Sequence, residues 1–120
     1  MVEFNMQYQA INITRVRGDT VSFRFNVKDS AGAAVDISGF SYKLTVDTLE
    51  DPTDDTTKVF QLTGSIVDAA NGVVEFSISA LQSDQDPNMY YFDLEQTDNA
   101  SKIRTIAKGQ WIVLQDITKA

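Results

Sequence analysis

Thr20-Val21-Ser22-Phe23-Arg24-Phe25-Asn26-Val27-Lys28 carries an apolar residue at every odd position and a polar one at every even position. Period two over nine residues describes a strand with one face in a core and the other in water. It is entered through Arg17-Gly18-Asp19 and left through Asp29-Ser30-Ala31-Gly32, both rich in turn residues. The same alternation returns in Phe40, Tyr42, Leu44 and Val46, in Val74, Phe76 and Ile78, and in Tyr90, Phe92 and Leu94. Ahead of it, Phe4, Met6 and Tyr8 are followed by Ile11 and Ile13, with a change of parity that predicts a bulge or two short pieces.

Further strands are expected at Ala33–Ile37, Lys58–Leu62 and Ser65–Asp68. Two more are expected at Ile103–Ala107 and Gln110–Leu114, separated at Lys108-Gly109. Asn71-Gly72 is a pair favoured in tight hairpins. Ala80 to Asp86 reads as one helical turn stopped by Pro87. Seven to nine short strands with almost no helix imply an all-β, antiparallel, immunoglobulin-like sandwich without a disulfide. Its expected core is Phe23, Phe25, Val27, Leu44, Val46, Phe76, Ile78, Tyr90, Phe92, Leu94 and Val113. Leu81 in a turn, followed by Asn88-Met89-Tyr90, resembles a tyrosine corner, although Trp111 sits in the last strand rather than at the antibody position. Residues 15–120 are expected to form a single sandwich domain, with residues 1–14 as its first strand or as a reaching arm.

At 120 residues the chain is the size of one domain. Cysteine and histidine are both absent, which removes disulfides, thiolate sites and the commonest general base and metal ligand. No apolar run approaches the roughly 20 residues that span a bilayer. Met1-Val2-Glu3-Phe4-Asn5 is neither basic nor continuously apolar, unlike a secretory signal. The net charge of −7 argues against nucleic acid as a partner, and no membrane partner is expected. Bases gather at the two ends: Arg15, Arg17, Arg24 and Lys28, then Lys102, Arg104 and Lys108. Residues 29–98 carry only Lys43 and Lys58, a polarity that suits charge-steered docking.

Acid and base chemistry would have to use the acidic loop or Asp84 and Asp86, and it needs a cleft that raises one carboxyl pKa. Acids beside Pro52 on a polar loop are better explained as solvated, so no catalytic residue and no cofactor are expected. The acidic stretch 47–55 lacks the alternating acids, central glycine and late glutamate of the regular calcium loop. Arg17-Gly18-Asp19 matches an integrin-binding tripeptide, and Asn12 and Asn99 begin glycosylation patterns. Turn chemistry and chance are the plainer readings of both. Tyr91, opposite in parity to Tyr90, is a candidate exposed contact. With Phe4, Met6, Tyr8, Lys102 and Arg104 it makes up the candidate assembly residues.

Arg17-Gly18-Asp19-Thr20, Phe23-x-Phe25-x-Val27-x-Asp29-x-x-Gly32, Val35-Asp36-Ile37-Ser38-Gly39-Phe40 and Tyr42-x-Leu44-x-Val46 follow one another in order. Asn71-Gly72-x-Val74-x-Phe76-x-Ile78, Tyr90-Tyr91-Phe92-Asp93-Leu94, Thr105-Ile106-Ala107-Lys108-Gly109, Trp111-x-Val113 and Asp116-Ile117-Thr118 complete the series. This order resembles the N-terminal domain of phage baseplate upper proteins and related immunoglobulin-like tailed-phage virion proteins, over about residues 15–118. The resemblance implies a non-enzymatic structural protein of the virion, an assembly or attachment module of the tail or baseplate. Its implied partners are other phage virion proteins and further copies of itself, as a homo-oligomer or in many copies on a particle. Such a protein is made in the host cytoplasm and resides in the virion. The baseplate proteins continue into a stalk and a receptor-binding region that are missing here, which favours an adaptor, a capsid decoration protein or a small tail component. A module binding carbohydrate or peptide on a host surface is the alternative of a different class.

Overall fold

The computed structural model describes the backbone of residues 2–5 and 9–10 and the whole of residues 11–54 and 56–117. In chain order the elements are β1 (Val2–Asn5), β2 (Gln9–Ala10), β3 (Ile13–Val16), β4 (Val21–Lys28), β5 (Ser41–Asp47) and β6 (Lys58–Thr63). They continue with β7 (Ser65–Asp68), β8 (Val73–Ile78), α1 (Ala80–Ser83), β9 (Asn88–Thr97) and β10 (Ile103–Leu114). One sheet has the order β1-β4-β8-β7; the other runs β2-β10-β9-β5-β6, with β3 also on β10. The two sheets pack as an all-β, immunoglobulin-like sandwich, held without any cysteine.

The alternating rows point inward as the sequence requires. Phe25, Val27, Leu44, Val46, Phe76, Ile78, Tyr90, Phe92, Leu94 and Val113 are buried. Phe23 is only partly buried but packs on the core, with ring centroids 5.4 Å from Phe25 and 6.1 Å from Trp111. Trp111, at 1% exposure, meets Phe60 and Phe92 edge-on at 5.7 and 6.2 Å. The core tryptophan thus comes from the last strand. Tyr42 and Gln96 form a buried pair on neighbouring strands, the Tyr42 hydroxyl donating to Gln96 Oε1 at 2.8 Å, and burial pushes the phenol pKa up. The Tyr90 hydroxyl donates to the Asp86 carbonyl at 2.7 Å, which makes the expected tyrosine corner.

Three expectations change. Ala33–Ile37 is not a strand. Its only ladder contact is a bridge between Lys28 and Ala34, because Asp29 Oδ1 accepts from the Ala31 and Ala33 amides and winds the chain into a turn. Ile37 then plugs the core at 0% exposure. The expected break at Lys108-Gly109 is absent, and β10 runs unbroken past it, with Gly109 opposite Phe92 and a bulge at Thr105/Ala107 instead. The pairing is also not purely antiparallel. β1 lies parallel to β4, and β2 and β3 lie parallel to β10, and these short pieces bring the strands among the described residues to ten.

The parity change before Ile11 is realised as two pieces, β2 and β3, on either side of residues 11–12. Gly109 makes the crossing possible. A Cβ there would stand 1.5 Å from the Ile11 carbonyl oxygen, while the Ile11 amide donates to the Lys108 carbonyl and Asn12 Oδ1 accepts from the Gln110 amide. Gly72, at φ 70°, closes the β7–β8 turn against the Val27 carbonyl in a similar close approach. α1 is a single turn capped at Ser79, with Gln82 completing a capping box.

Two substitutions test this packing. Phe25→Ala should lower unfolding free energy by about 3–5 kcal/mol in denaturant titrations, the cost of emptying a fully buried aromatic site. Gly109→Ala must push β3 off β10 and should cost about 1–3 kcal/mol. Unchanged stability in the second case would place residues 11–12 elsewhere.

Candidate functional site

The six-stranded sheet exposes the opposite rows of β5, β6, β9 and β10, and cross-strand register decides which side chains share that outer face. Asp47 stands opposite Tyr91, and Tyr91 opposite Gln110. One step along, Gln61, Thr45, Asp93 and Lys108 form a row across four strands. Lys43 then faces Glu95, and Ile103 faces Thr97. Gln61 Nε2 donates to Thr45 Oγ1 at 2.9 Å, which ties β6 to β5 on this surface.

The 48–57 loop folds over one end of the face. Asp47 is buried beneath it and accepts from the Leu49 amide at 2.9 Å and the Thr57 hydroxyl at 2.8 Å. Asp54 accepts from both the amide and the hydroxyl of Thr56, and these bonds hold its pKa below the ordinary value. Two of the loop-region acids therefore organise the loop itself. Among the described residues no three acids converge on a common point where a metal ion would sit; Asp55 lies outside those residues. Between loop and sheet is a cleft of about 550 Å3, bordered by Leu49, Glu50, Tyr91, Asp93 and Lys108.

Asp93 is a half-buried acid in the lining of this cleft. Burial pushes its pKa above the ordinary value near 3.8, the charge on Glu95 adds to the rise, and Lys108 opposes it. The arrangement offers hydrogen-bond acceptors, one aromatic face and net negative charge. It suits recognition of a cationic or polar surface.

The candidate assembly residues fall on different surfaces. Phe4 belongs to β1, in register with Val27 on the edge of the four-stranded sheet. Met6 and Tyr8 lie outside the described residues. Tyr91 is half-buried on the outer face of the other sheet. Lys102 and Arg104 are exposed at the far end of that sheet, Arg104 opposite Gln96 and Lys102 within the β9–β10 connection. Charge polarity along the chain is partly cancelled by folding: Arg24 pairs with Glu75 at 2.8 Å, and Arg17 with Asp84 at 2.8 Å and Asp86 at 3.8 Å. The Arg17-Gly18-Asp19 turn is thereby fastened to the α1 region, with the Gly18 amide donating to the Ser83 carbonyl. Both asparagines of the glycosylation patterns are bonded to the fold, Asn12 to the Gln110 amide and Asn99 to the Ser38 carbonyl.

Sequence reading did not single out Asp93, Glu50 and Lys43 as a group. The alternating pattern puts Asp93 and Lys43 on outward rows, but only strand pairing tells which rows are neighbours.

No protein-family model matches the chain, and no curated protein matches it. Among solved structures, it is similar to the major subunit of aggregative adherence fimbriae type I from Escherichia coli, at 11% identity over 91% of each chain and a TM-score of 0.35.

The environment of Asp93 gives a pH-dependent expectation. Its ionised form is disfavoured in the fold, so the folded chain holds the proton to higher pH than the unfolded chain. Stability from this group therefore falls as pH rises from about 3.8 through the raised folded value, and stays lowered at neutral pH. Asp93→Asn should raise the thermal midpoint at pH 7 and bring little gain at pH 3, where both states are protonated. Calorimetric melts showing an equal change at both pH values would contradict this.

Proposed function

We propose that this chain is a non-enzymatic structural protein of a tailed-phage virion, an assembly or attachment module that works in repeated copies, with a tail or baseplate position favoured over capsid decoration. The observation that carries the reading is the placement of β1. Four N-terminal residues add a parallel strand to the outer edge of β4, the most regular strand of the sandwich. An edge strand is an open row of backbone donors and acceptors, and a neighbouring chain can fill it as readily as the chain's own terminus. The resemblance of the motif order to that of phage virion proteins supports the same reading.

In this account the N-terminal segment is the reaching element: it closes the edge of its own β4 in the free chain and the edge of a neighbour's β4 in the assembly. Exchange of an identical element needs no new interface chemistry, because the same backbone bonds and the same register serve both states.

Two measurements test the reading. Mass spectrometry of purified particles should find the protein at structural stoichiometry, and its density should locate to the tail rather than the capsid. Deleting residues 1–7 should abolish incorporation while the β-rich circular dichroism spectrum and cooperative melting persist. Normal incorporation of the truncated chain would rule out the N-terminal segment as the assembly element.

A further inference from the structure

We infer that the outer face of the six-stranded sheet is a contact between two copies of this chain, packed face to face about a twofold axis so that the 98–104 tip of each seats in the cleft of the other. The inference rests on the assembly reading above and supplies it with a second surface, distinct from the β4 edge.

Tip and cleft lie along one face, the cleft running from Tyr91 to Glu95 and the tip starting past Thr97. Ile103 is opposite Thr97, whose outward row continues through Glu95 and Asp93 to Tyr91 in the cleft. Six residues of strand separate Thr97 from Tyr91, about 20 Å. A twofold axis through the middle of this face carries each tip onto the other copy's cleft, which makes the surface complementary to itself.

The chemistry of the two ends matches. The cleft end holds Glu50, Asp54, Asp93 and Glu95, which outnumber its one lysine, Lys108, together with Leu49 and Tyr91. At the tip end Lys102 is exposed next to Ile103, which is 65% exposed in the isolated chain, while Lys43 stands two strands away opposite Glu95. Among the described residues, none of Lys43, Lys102 and Glu50 takes part in an ion pair. An aliphatic side chain beside a lysine thus faces an aromatic ring among acids. Charge complementarity of this kind selects orientation as well as partner.

The tip is also stiff before it binds. Asp98 Oδ1 accepts from the Ala100 and Lys102 amides, the Asp98 amide donates to the Lys102 carbonyl, and Asn99 anchors the tip to the Ser38 carbonyl. Ser101 holds φ at 62° to complete the turn. Such preorganisation lowers the ordering cost of association. The patch is four strands wide, about 19 by 20 Å, which is below the size of stable specific interfaces and fits a weak, transient contact. Such a dimer is to be sought at roughly micromolar to sub-millimolar concentration.

Sedimentation velocity over that range should reveal a monomer–dimer equilibrium that weakens with salt. Lys102→Glu and Glu50→Lys each place like charges across both contacts, and each should raise the dimer Kd about tenfold or more. Mixing the two variants in equal amounts should restore dimerisation, because every tip then meets a cleft of opposite charge. Both substitutions are on exposed side chains, and unchanged melting curves verify that the fold is kept; Ile103→Ser offers an uncharged second variant. Amide shifts on dilution should cluster at residues 47–54, 91–95 and 98–104.

Dimerisation that neither variant affects would overturn this face as the contact and leave the assembly reading standing. A wild type that stays monomeric throughout would overturn the inference, while incorporation into particles would still decide the assembly reading. Cleft shifts produced by added maltoheptaose, with none on dilution, would overturn it in favour of a saccharide.

Discussion

The two sheets meet around one tryptophan. Trp111 comes from β10, the last strand, and its ring is flanked by Phe92 from the adjacent strand, Phe60 from the sheet's edge and Phe23 from the opposite sheet. Phe23 in turn contacts Phe25 and Phe76, so aromatic contact runs unbroken from one sheet to the other. Rings that meet edge-on or tilted gain beyond their buried area and resist sliding. The register of β10 therefore fixes much else: Trp111 opposite Tyr90, Ile13 beside Trp111, and Gly109 where the N-terminal segment must cross.

Legibility in the sequence followed the strength of alternation. β4, β5, β8 and the core rows of β9 were evident because each places its apolar residues on one parity, and the Tyr90 corner was evident from turn chemistry. Lys108-Gly109 was misread because glycine usually ends a strand. Here its missing Cβ makes room for the Ile11 carbonyl while the ladder continues. Ala33–Ile37 was misread because an apolar pair around Asp36 resembles a strand, whereas the decisive features are the Asp29 turn bonds and the space that Ile37 fills. Neither is visible without knowing what lies across the sandwich.

The outer face was less legible still, for a related reason. A side chain's neighbours on a sheet are set by pairing between strands far apart in sequence, so Lys43 and Glu95 become adjacent only through the β5–β9 ladder. The charge segregation along the chain likewise partly dissolved when Arg17 and Arg24 met acids from the middle of the sequence. What survives is a local excess of acids under the 48–57 loop, where Glu50, Asp54, Asp93 and Glu95 meet the single Lys108. Tyr91 was singled out by parity alone, and the fold gives it acidic surroundings that parity does not reveal.

The parallel seam between β3 and β10 has a consequence for synthesis. Asn12 and its partner Gln110 are 98 residues apart, so the segment around Asn12 leaves the ribosome well before the strand whose ladder it joins. Trp111, which completes the aromatic core, also arrives late. The sandwich therefore closes only once β10 has been made, and until then the apolar rows of β4 and β8 stand uncovered. Long-range pairing of this kind makes for slow folding and a period of exposure to aggregation. That interval sets a demand on chaperones that the stability of the finished sandwich does not reveal.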